Sequence, residues 1–221
     1  MTHQAVIFDL GGVVLGSPLH AIAAFEREHG IPAGFVNRIV VDTGADGAWG
    51  RLERGLLDLE AFVPEFEADC ARAGRRLDAR ALFARMGEAA KPRPAMLGAI
   101  AAIRARGLCA AALTNNWASE ERDDGTRALR GHFDRFFESS VLGLQKPDPR
   151  IYQHACRELG IVPNAAVFLD DIGRNLKTAR ELGMATIKVD RPEQALADLE
   201  QLLGFPLQAP GSPLGDITSG H

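Results

Sequence analysis

Short apolar runs alternate with amphipathic patterns along most of the chain. Runs rich in β-branched, aromatic and other apolar residues predict four strands, at residues 4–9, 108–114, 165–169 and 185–189. Amphipathic segments between and after these runs predict helices, at residues 95–106, 149–159, 175–182 and 193–203. Near-continuous apolar strands that alternate with helices are typical of a parallel sheet covered on both faces. The pattern therefore predicts an α/β fold with a doubly wound parallel sheet.

The alternation stops after the first predicted strand. From about Ser17 to Met86 the sequence shows helical periodicity and no strand pattern. Stretches containing Gly and Pro at 16–18 and 91–94 indicate hinges on either side. We therefore expect an inserted α-helical cap domain over the carboxyl ends of the strands, where ligands bind in open α/β sheets. The expected domains are a core at 1–16 and 91–204, the cap at 17–90, and a Pro/Gly-rich tail at 205–221.

Composition narrows the class of protein. The 221 residues are 46% hydrophobic and 24% charged, with a net charge of −4, which gives no electrostatic reason to expect nucleic acid as a partner. The three cysteines are isolated and show no metal-ligand spacing, which is typical of a reducing compartment. No secretion-signal pattern and no apolar stretch of membrane-spanning length occurs. We expect a cytoplasmic protein without a membrane span, and the sequence leaves its oligomeric state open.

Polar residues whose side chains can bind ions or take part in catalysis follow the predicted strands. Asp9 ends the first strand, "LTNN" at 113–116 ends the second, and the pair Asp170 and Asp171 ends the third, while Lys146 precedes a predicted helix. Carboxyl ends of parallel strands meet at one edge of a sheet, so we expect these groups to converge. Clustered carboxylates suit a hard cation such as Mg²⁺, and an ammonium group, a hydroxyl and loop amides suit phosphoryl oxygens.

Four segments together resemble the haloacid dehalogenase superfamily over residues 4–190: "FDLGGVV", "LTNN", "GLQKPDPRIY" and "FLDDIGRNLKTARELGMATI". The last two are most similar to the phosphatase domain at the N-terminus of soluble epoxide hydrolases and of related bacterial and acyl-CoA-dehydrogenase-fused proteins. The resemblance implies a Rossmann-like core with a helical cap. It also implies Mg²⁺-dependent hydrolysis of a small phosphomonoester through an aspartyl-phosphate intermediate.

The resemblance also implies a role for each matching residue. Asp9 would be the nucleophile, Lys146 would neutralise the charge between nucleophile and phosphate, and Thr114 would hold a phosphoryl oxygen; these three form the implied catalytic set. The implied phosphate-binding set is Gly11, Thr114, the backbone amide of Asn115, and Lys146. The implied metal-binding set is Asp9, the backbone carbonyl of Gly11, Asp170 and Asp171, with Asp171 as a direct ligand and Asp170 as a ligand or its neighbour.

Gly11 departs from the pattern of the superfamily. Most of its phosphatases carry Asp-x-Asp, in which the second aspartate protonates the leaving oxygen and then activates water. Here a glycine occupies that position. The metal site can still form, because the resemblance implies only the backbone carbonyl of residue 11 as a ligand. A general acid or base is missing, and such a group contributes typically about 10²–10⁴-fold to a reaction rate.

Three interpretations of the function remain open. The first is a Mg²⁺-dependent phosphatase that acts on good leaving groups or takes its acid from the cap, from water or from the substrate. The second is a metal-free 2-haloacid dehalogenase, against which the adjacent Asp170 and Asp171 argue, because a halide site gains nothing from clustered carboxylates. The third is a catalytically weak binding or scaffold domain.

Substrate selection is expected in and near the cap, because the core groups address only the phosphoryl group. Trp117 directly follows "LTNN", and Arg54 lies in "AWGRLERGLL", a cap stretch that mixes aromatic and basic residues. We expect both residues to contact the substrate.

Overall fold

A parallel β-sheet is the centre of the computed structural model, which describes residues 3–117 and 125–207. The described residues form five strands in the order β3-β2-β1-β4-β5, and every neighbouring pair is parallel. The strands are β1 (Ala5–Phe8), β2 (Cys109–Thr114), β3 (Arg135–Glu138), β4 (Ala166–Asp170) and β5 (Ala185–Lys188). The predicted α/β class with a parallel sheet is confirmed.

Helices account for most of the remaining described residues. In chain order they are α1 (Pro18–Glu28), α2 (Phe35–Thr43), α3 (Ala48–Glu53), α4 (Leu59–Arg72), α5 (Ala79–Ala89), α6 (Pro94–Ala105), α7 (Gly125–Arg130), α8 (Ser139–Leu142), α9 (Pro149–Leu159), α10 (Gly173–Glu181) and α11 (Pro192–Leu203). A wide turn at Leu10–Val14 follows β1, and short 3₁₀ turns lie at Gly44–Asp46 and Pro163–Ala165.

Both faces of the sheet are buried by helices. Val6 and Phe8 of β1 belong to an apolar cluster with α6 and α11. Ile7 points to the other face and belongs to a second cluster with α9 and α10. Because alternate residues of a strand face opposite sides, a strand covered on both faces needs apolar residues at every position. This explains the continuous apolar run that precedes Asp9.

The segment between β1 and α6 has an apolar core of its own, which includes residues from α1 to α5. At its centre the Trp49 ring lies 5.4 Å from both Phe66 and Phe83, and Phe62 stacks on Phe66 at 5.1 Å. Residues 17–90 contain helices and turns but no strand. On this basis we propose that the segment is a cap domain inserted into the core.

The beginning and the end of this segment lie side by side. Leu15 and Pro92 form an isolated antiparallel bridge. The Gly16 N–H donates to the Lys91 carbonyl at 3.0 Å, and the Arg93 N–H donates to the Val14 carbonyl at 2.9 Å. Two short crossing segments with few bonds between them can act as a hinge. They lie at or next to residues 16–18 and 91–94, where the sequence predicts hinges.

The C-terminal region is described only in part. The expected tail begins at residue 205, and within it Phe205 and Leu207 pack against the core cluster. The remaining tail residues, 208–221, lie outside the described residues. Among the helices that the structure describes, none has the length and apolar character needed to cross a membrane.

Candidate active site

The polar residues after β1, β2 and β4 meet at the carboxyl edge of the sheet. β1 lies between β2 and β4, so the residues that end these three strands are neighbours. Thr114 and Asp170 are the last residues of β2 and β4, and Asp9 directly follows β1. The Asp9 N–H continues the ladder by donating to the Leu169 carbonyl at 2.9 Å. The predicted convergence of these groups is therefore present.

Lys146 occupies the centre of the site. Its Nζ lies 2.8 Å from Asp9 Oδ1 and 2.7 Å from Asp170 Oδ2, and the side chain is almost fully buried. Burial by itself lowers the pKa of Lys146, but the carboxylates of Asp170 and Asp9 and their hydrogen bonds reverse that effect and leave the pKa raised. The ammonium group therefore stays charged and bridges two buried carboxylates.

Asp9 presents its two carboxylate oxygens to different surroundings. Oδ1 accepts hydrogen bonds from the Leu10 N–H at 2.7 Å and from Lys146. The described residues provide no hydrogen-bond donor to Oδ2. Burial raises the pKa of Asp9 to about 7. Lys146 opposes this rise, and the negative charges of Asp170 and Asp171 add to it. One oxygen is thus held in place while the other remains available for chemistry.

Asp170 and Asp171 differ in what surrounds them. Asp170 is fully buried and accepts bonds from Lys146, from the Ile172 N–H at 2.7 Å and from Asn175 Nδ2 at 3.1 Å. Asp171 lines the cavity, where the Ser17 hydroxyl lies 3.5 Å from its Oδ2. Burial, with the charge of Asp170, raises the pKa of Asp171 to about 6. Both oxygens of Asp170 therefore accept hydrogen bonds from the protein, whereas Asp171 faces the open space.

Three carboxylates form a cluster that suits a divalent cation. Asp9, Asp170 and Asp171 each offer an oxygen, and the three oxygens lie within 4.8 Å of one another. Among the residues that the structure describes, only the Lys146 ammonium group forms ion pairs with this cluster, so negative charge is in excess. An all-oxygen donor set with excess negative charge fits Mg²⁺ better than a softer metal.

The loops after β2 and before α9 are joined by one side chain. Asn115 Oδ1 accepts from the Lys146 N–H at 2.8 Å, and Asn115 Nδ2 donates to the Lys146 carbonyl at 3.0 Å. Next to it, the buried Thr114 hydroxyl lies 3.3 Å from the Asn115 carbonyl. This pairing ties the two loops together, and Thr114 and Lys146 line the same cavity as Asp9.

A comparison with protein families agrees with this arrangement. The family model of haloacid dehalogenase-like (HAD-like) hydrolases matches residues 3–183. The chain belongs to this family. The predicted family resemblance is therefore confirmed.

Curated relatives share most of this chain. Acyl-CoA dehydrogenase family member 10 of Mus musculus is 40% identical over 93% of the chain, and bifunctional epoxide hydrolase 2 of Sus scrofa is 37% identical over 96%. The chain spans only 20% and 41% of the length of these two relatives. Phosphatase MT3486 of Mycobacterium tuberculosis is 32% identical over 88% of the chain, which spans 90% of that protein.

A solved structure shows the same fold. A HAD family enzyme from Bacteroides thetaiotaomicron, crystallised with magnesium and inorganic phosphate, superposes with a TM-score of 0.57 at 21% identity. The likeness covers 84% of this chain and 93% of that one. It supports the HAD-like fold of the core.

A cavity of about 910 Å³ opens in front of the carboxylates of this HAD-like hydrolase. Its walls come from the core residues described above and from the inserted helical segment. Trp117 lines the cavity as predicted, and its ring centre lies 4.8 Å from that of Phe83. The cavity is large enough for a substrate well beyond the size of inorganic phosphate.

Arg54 does not line this cavity, so the structure does not place it where a substrate-binding role needs it. Its guanidinium donates to the Ala45 carbonyl at 2.6 Å and to the Gly50 carbonyl at 3.2 Å. The preceding residue, Glu53, lines the cavity instead. Successive helical residues point about 100° apart, so a shift of one residue changes which side chain faces the cavity. Sequence reasoning missed Glu53, although its spacing of four residues from Trp49 could have indicated a shared helix face.

Gly11 lines the cavity beside Asp9. A Cβ at this position would lie 3.2 Å from two ring atoms of Pro18, the first residue of α1. The space next to position 11 is therefore taken up by the start of the inserted segment. The core offers no carboxylate at the position where most phosphatases of the superfamily are expected to carry their acid.

Proposed function

We propose that this protein is a Mg²⁺-dependent phosphomonoester hydrolase that acts through an aspartyl-phosphate on Asp9. The observation that carries the proposal is the pair of buried ion pairs by which Lys146 bridges Asp9 and Asp170, with Asp171 also lining the cavity. A nucleophilic carboxylate needs positive charge next to it to approach an anionic phosphate, and Lys146 provides that charge. The relative named as a phosphatase supports the same class of reaction.

In the first step, Asp9 Oδ2 forms a bond to phosphorus while the bond from phosphorus to the leaving oxygen breaks. Lys146 and the Leu10 N–H hold Oδ1 and thereby orient the carboxylate for attack. The Thr114 hydroxyl and the backbone amide of Asn115 bind phosphoryl oxygens. Mg²⁺, held by Asp9, Asp170 or Asp171 and the Gly11 carbonyl, would supply further positive charge for the transferring group.

In the second step, water attacks phosphorus, the bond to Asp9 Oδ2 breaks, and inorganic phosphate leaves. Dividing the hydrolysis in this way replaces one difficult displacement by two easier ones. Lys146 stays between the Asp9 and Asp170 carboxylates throughout and keeps the regenerated Asp9 oriented for the next substrate.

The dehalogenase alternative shares the attacking aspartate, but carbon would be the atom attacked. That reaction needs no cation, whereas three carboxylates lie within 4.8 Å of one another here. Like charges at this spacing destabilise a buried site unless a cation compensates them. The carboxylate cluster therefore favours the phosphatase over the dehalogenase.

The proposal is tested by assaying p-nitrophenyl phosphate and 2-chloropropionate, each with Mg²⁺ and with chelator. We expect hydrolysis of the phosphate ester that chelator abolishes, no release of chloride, and no turnover by Asp9→Asn. Intact mass measurement after an acid quench should show one phosphoryl group on the wild type and none on Asp9→Asn. Phosphatase activity that survives chelation, or chloride release, would contradict the proposal. Absence of turnover across a broad panel of phosphates would favour the scaffold interpretation.

A further inference from the structure

Glu53 is a cavity residue to which the reaction described above assigns no task. It is the last residue of α3, in the inserted segment, and it lines the cavity together with Asp9 and Lys146. The Trp49 Nε1–H donates to its Oε1 at 3.0 Å, and Asn115 Nδ2 donates to its Oε2 at 3.0 Å. The second bond crosses from the inserted segment to the core, so the carboxyl group is held against the loop that follows Thr114.

The other cavity carboxylates have an ion-pair partner or a task in the proposed reaction. Among the described residues, the cavity wall contains the carboxylates of Asp9, Glu53, Glu138 and Asp171. Asp9 is the proposed nucleophile, and Asp171 belongs to the carboxylate cluster. Glu138 accepts hydrogen bonds from the Arg130 guanidinium and from Asn116 Nδ2. Glu53 differs from Glu138 because its two partners, Trp49 and Asn115, are neutral N–H donors rather than a guanidinium ion. Among the described cavity carboxyls, Glu53 is therefore the one left to exchange a proton with a bound substrate.

The surroundings of Glu53 favour its protonated form. Burial raises the pKa of Glu53, against the opposing effects of the Trp49 hydrogen bond, the Lys146 charge, the Asn115 hydrogen bond and the Arg174 charge. Lys146 and Arg174 are the charged groups that act on this carboxyl, and they come from the core loop before α9 and from α10. A raised pKa is the direction that a carboxyl needs in order to act as a general acid.

We propose that Glu53 is the general acid and base of the reaction and replaces the carboxylate that is missing at position 11. This inference rests on the proposed phosphatase function. As the bond from phosphorus to the leaving oxygen breaks, the Glu53 carboxyl transfers its proton to that oxygen and the alcohol leaves neutral. The resulting carboxylate then takes a proton from the water that attacks phosphorus, which returns Glu53 to its acid form and releases phosphate.

The arrangement makes proton transfer depend on the position of the inserted segment. The Glu53 carboxyl reaches Asn115 only while α3 lies against the core, because Glu53 belongs to the inserted segment and Asn115 to the core. Proton transfer to the leaving oxygen is thus restricted to the closed arrangement, in which water has the least access to the cavity.

The test compares Glu53→Gln with Glu65→Gln on an aryl and an alkyl phosphate. Glu65 is a matched control in the same segment, half-exposed and paired with Arg51 at 2.5 Å, outside the cavity wall. We expect Glu53→Gln to lower kcat/KM for glycerol phosphate by about 10²-fold or more, because an alkoxide needs a proton to leave. Hydrolysis of p-nitrophenyl phosphate should fall much less, because p-nitrophenolate leaves without one. Glu65→Gln should behave as wild type on both substrates.

The pH profile separates proton transfer from a positioning role. With the alkyl phosphate, kcat/KM of the wild type should fall as pH rises through the pKa of Glu53, because only the protonated form donates. Glu53→Gln should lack this alkaline limb. Trp49→Phe keeps an aromatic ring and removes a hydrogen bond that lowers the Glu53 pKa, so its alkaline limb should move to higher pH. Glu53→Asp keeps an acid and should recover part of the alkyl phosphatase activity that Glu53→Gln loses.

Two failures can be told apart. If Glu53→Gln lowers the turnover of both substrates equally and keeps the alkaline limb, then Glu53 only positions Asn115 and this inference is wrong, while the phosphatase function stands. If the wild type hydrolyses neither phosphate in the presence of Mg²⁺, the proposed function fails and the role of Glu53 fails with it.

Discussion

Gly12 illustrates how closely the loop after β1 approaches the carboxylate cluster. Its φ is +79°, and a Cβ at this position would lie 2.0 Å from Asp171 Oδ2. A side chain here would therefore need both an unfavourable backbone conformation and a displaced carboxylate. The glycine lets the chain turn sharply between Asp9 and the inserted segment without disturbing Asp171.

We expect Gly12→Ala to weaken both the fold and the metal site. The left-handed backbone conformation costs about 1–2 kcal/mol for a residue with a side chain, and the displaced Asp171 should reduce the response to Mg²⁺. Urea denaturation measures the first effect, and thermal melting across a Mg²⁺ titration measures the second. Gly98→Ala is the matched control. Gly98 lies on α6, and a Cβ there would meet no neighbouring atom within 4 Å, so this substitution should be neutral or stabilising. Equal behaviour of the two variants would contradict the steric argument.

Residues 53 and 54 show the limit of sequence reasoning at this scale. The mixture of aromatic and basic residues in "AWGRLERGLL" correctly pointed to a stretch near the cavity, but it favoured Arg54 over Glu53. The rotation of α3 about its axis decides which of the two faces inward. That rotation depends on how Trp49 packs against Phe62, Phe66 and Phe83, which are contacts between separate helices.

At the scale of elements, Glu26 connects two helices of the inserted segment. It lies on α1, is 1% exposed, and accepts hydrogen bonds from the Gly34 N–H at 2.7 Å and the Val36 N–H at 2.8 Å. These N–H groups belong to the beginning of α2, where the helix itself offers no acceptors. A carboxylate at this end also interacts favourably with the helix dipole.

We therefore expect Glu26→Ala to destabilise the protein by about 2–3 kcal/mol, because the buried Val36 N–H and the partly buried Gly34 N–H lose a charged acceptor. Glu28→Ala on the same helix should cost less than about 1 kcal/mol, since it breaks only an exposed pair with Arg85. Urea denaturation of both variants measures the difference. A loss from Glu26→Ala no larger than that from Glu28→Ala would show that Glu26 does not cap α2.

Among the described elements, one strand was not predicted from the sequence. β3 is four residues long and lies at the edge of the sheet, with charged residues at both ends in "RFFE". An edge strand pairs on one side only and tolerates exposed charge, so it lacks the continuous apolar pattern of β1 and β4. β1, β2 and β4 were located to within one residue at each end because burial on both faces demands that pattern. β5, the other edge strand, was located as closely from its short apolar run "ATIKV".

At the scale of the whole molecule, the carboxylate cluster connects metal binding to stability. Asp9 follows β1, while Asp170 and Asp171 come from the end of β4, so a cation held by Asp9 and either of these two aspartates would link two central strands. A ligand that binds the folded state alone stabilises it by mass action. Without a cation, the excess negative charge in the cluster opposes folding.

We expect Mg²⁺ to raise the melting temperature of the wild type relative to the chelated protein. Asp171→Asn should melt higher than the wild type in chelator, because a like charge is removed, and should lose most of the response to Mg²⁺. Differential scanning calorimetry with Mg²⁺ and with chelator measures both effects. Asp46→Asn serves as the control, since this exposed aspartate lies in the inserted segment and pairs with Arg54 at 3.7 Å. A Mg²⁺ response in Asp171→Asn as large as in the wild type would argue against Asp171 as a ligand.

The sequence by itself determined four of the five described strands of the parallel sheet, the polar residues at their carboxyl ends, and the absence of a carboxylate at position 11. These features are local, because burial on both faces dictates apolar runs and the chemistry of the site dictates residue types directly after them. The tertiary structure decided that Lys146 bridges Asp9 and Asp170, that Pro18 fills the space beside Gly11, and that Glu53 rather than Arg54 faces the cavity. Each of these depends on contacts between residues far apart in the chain, and periodicity along a single segment carries no information about them.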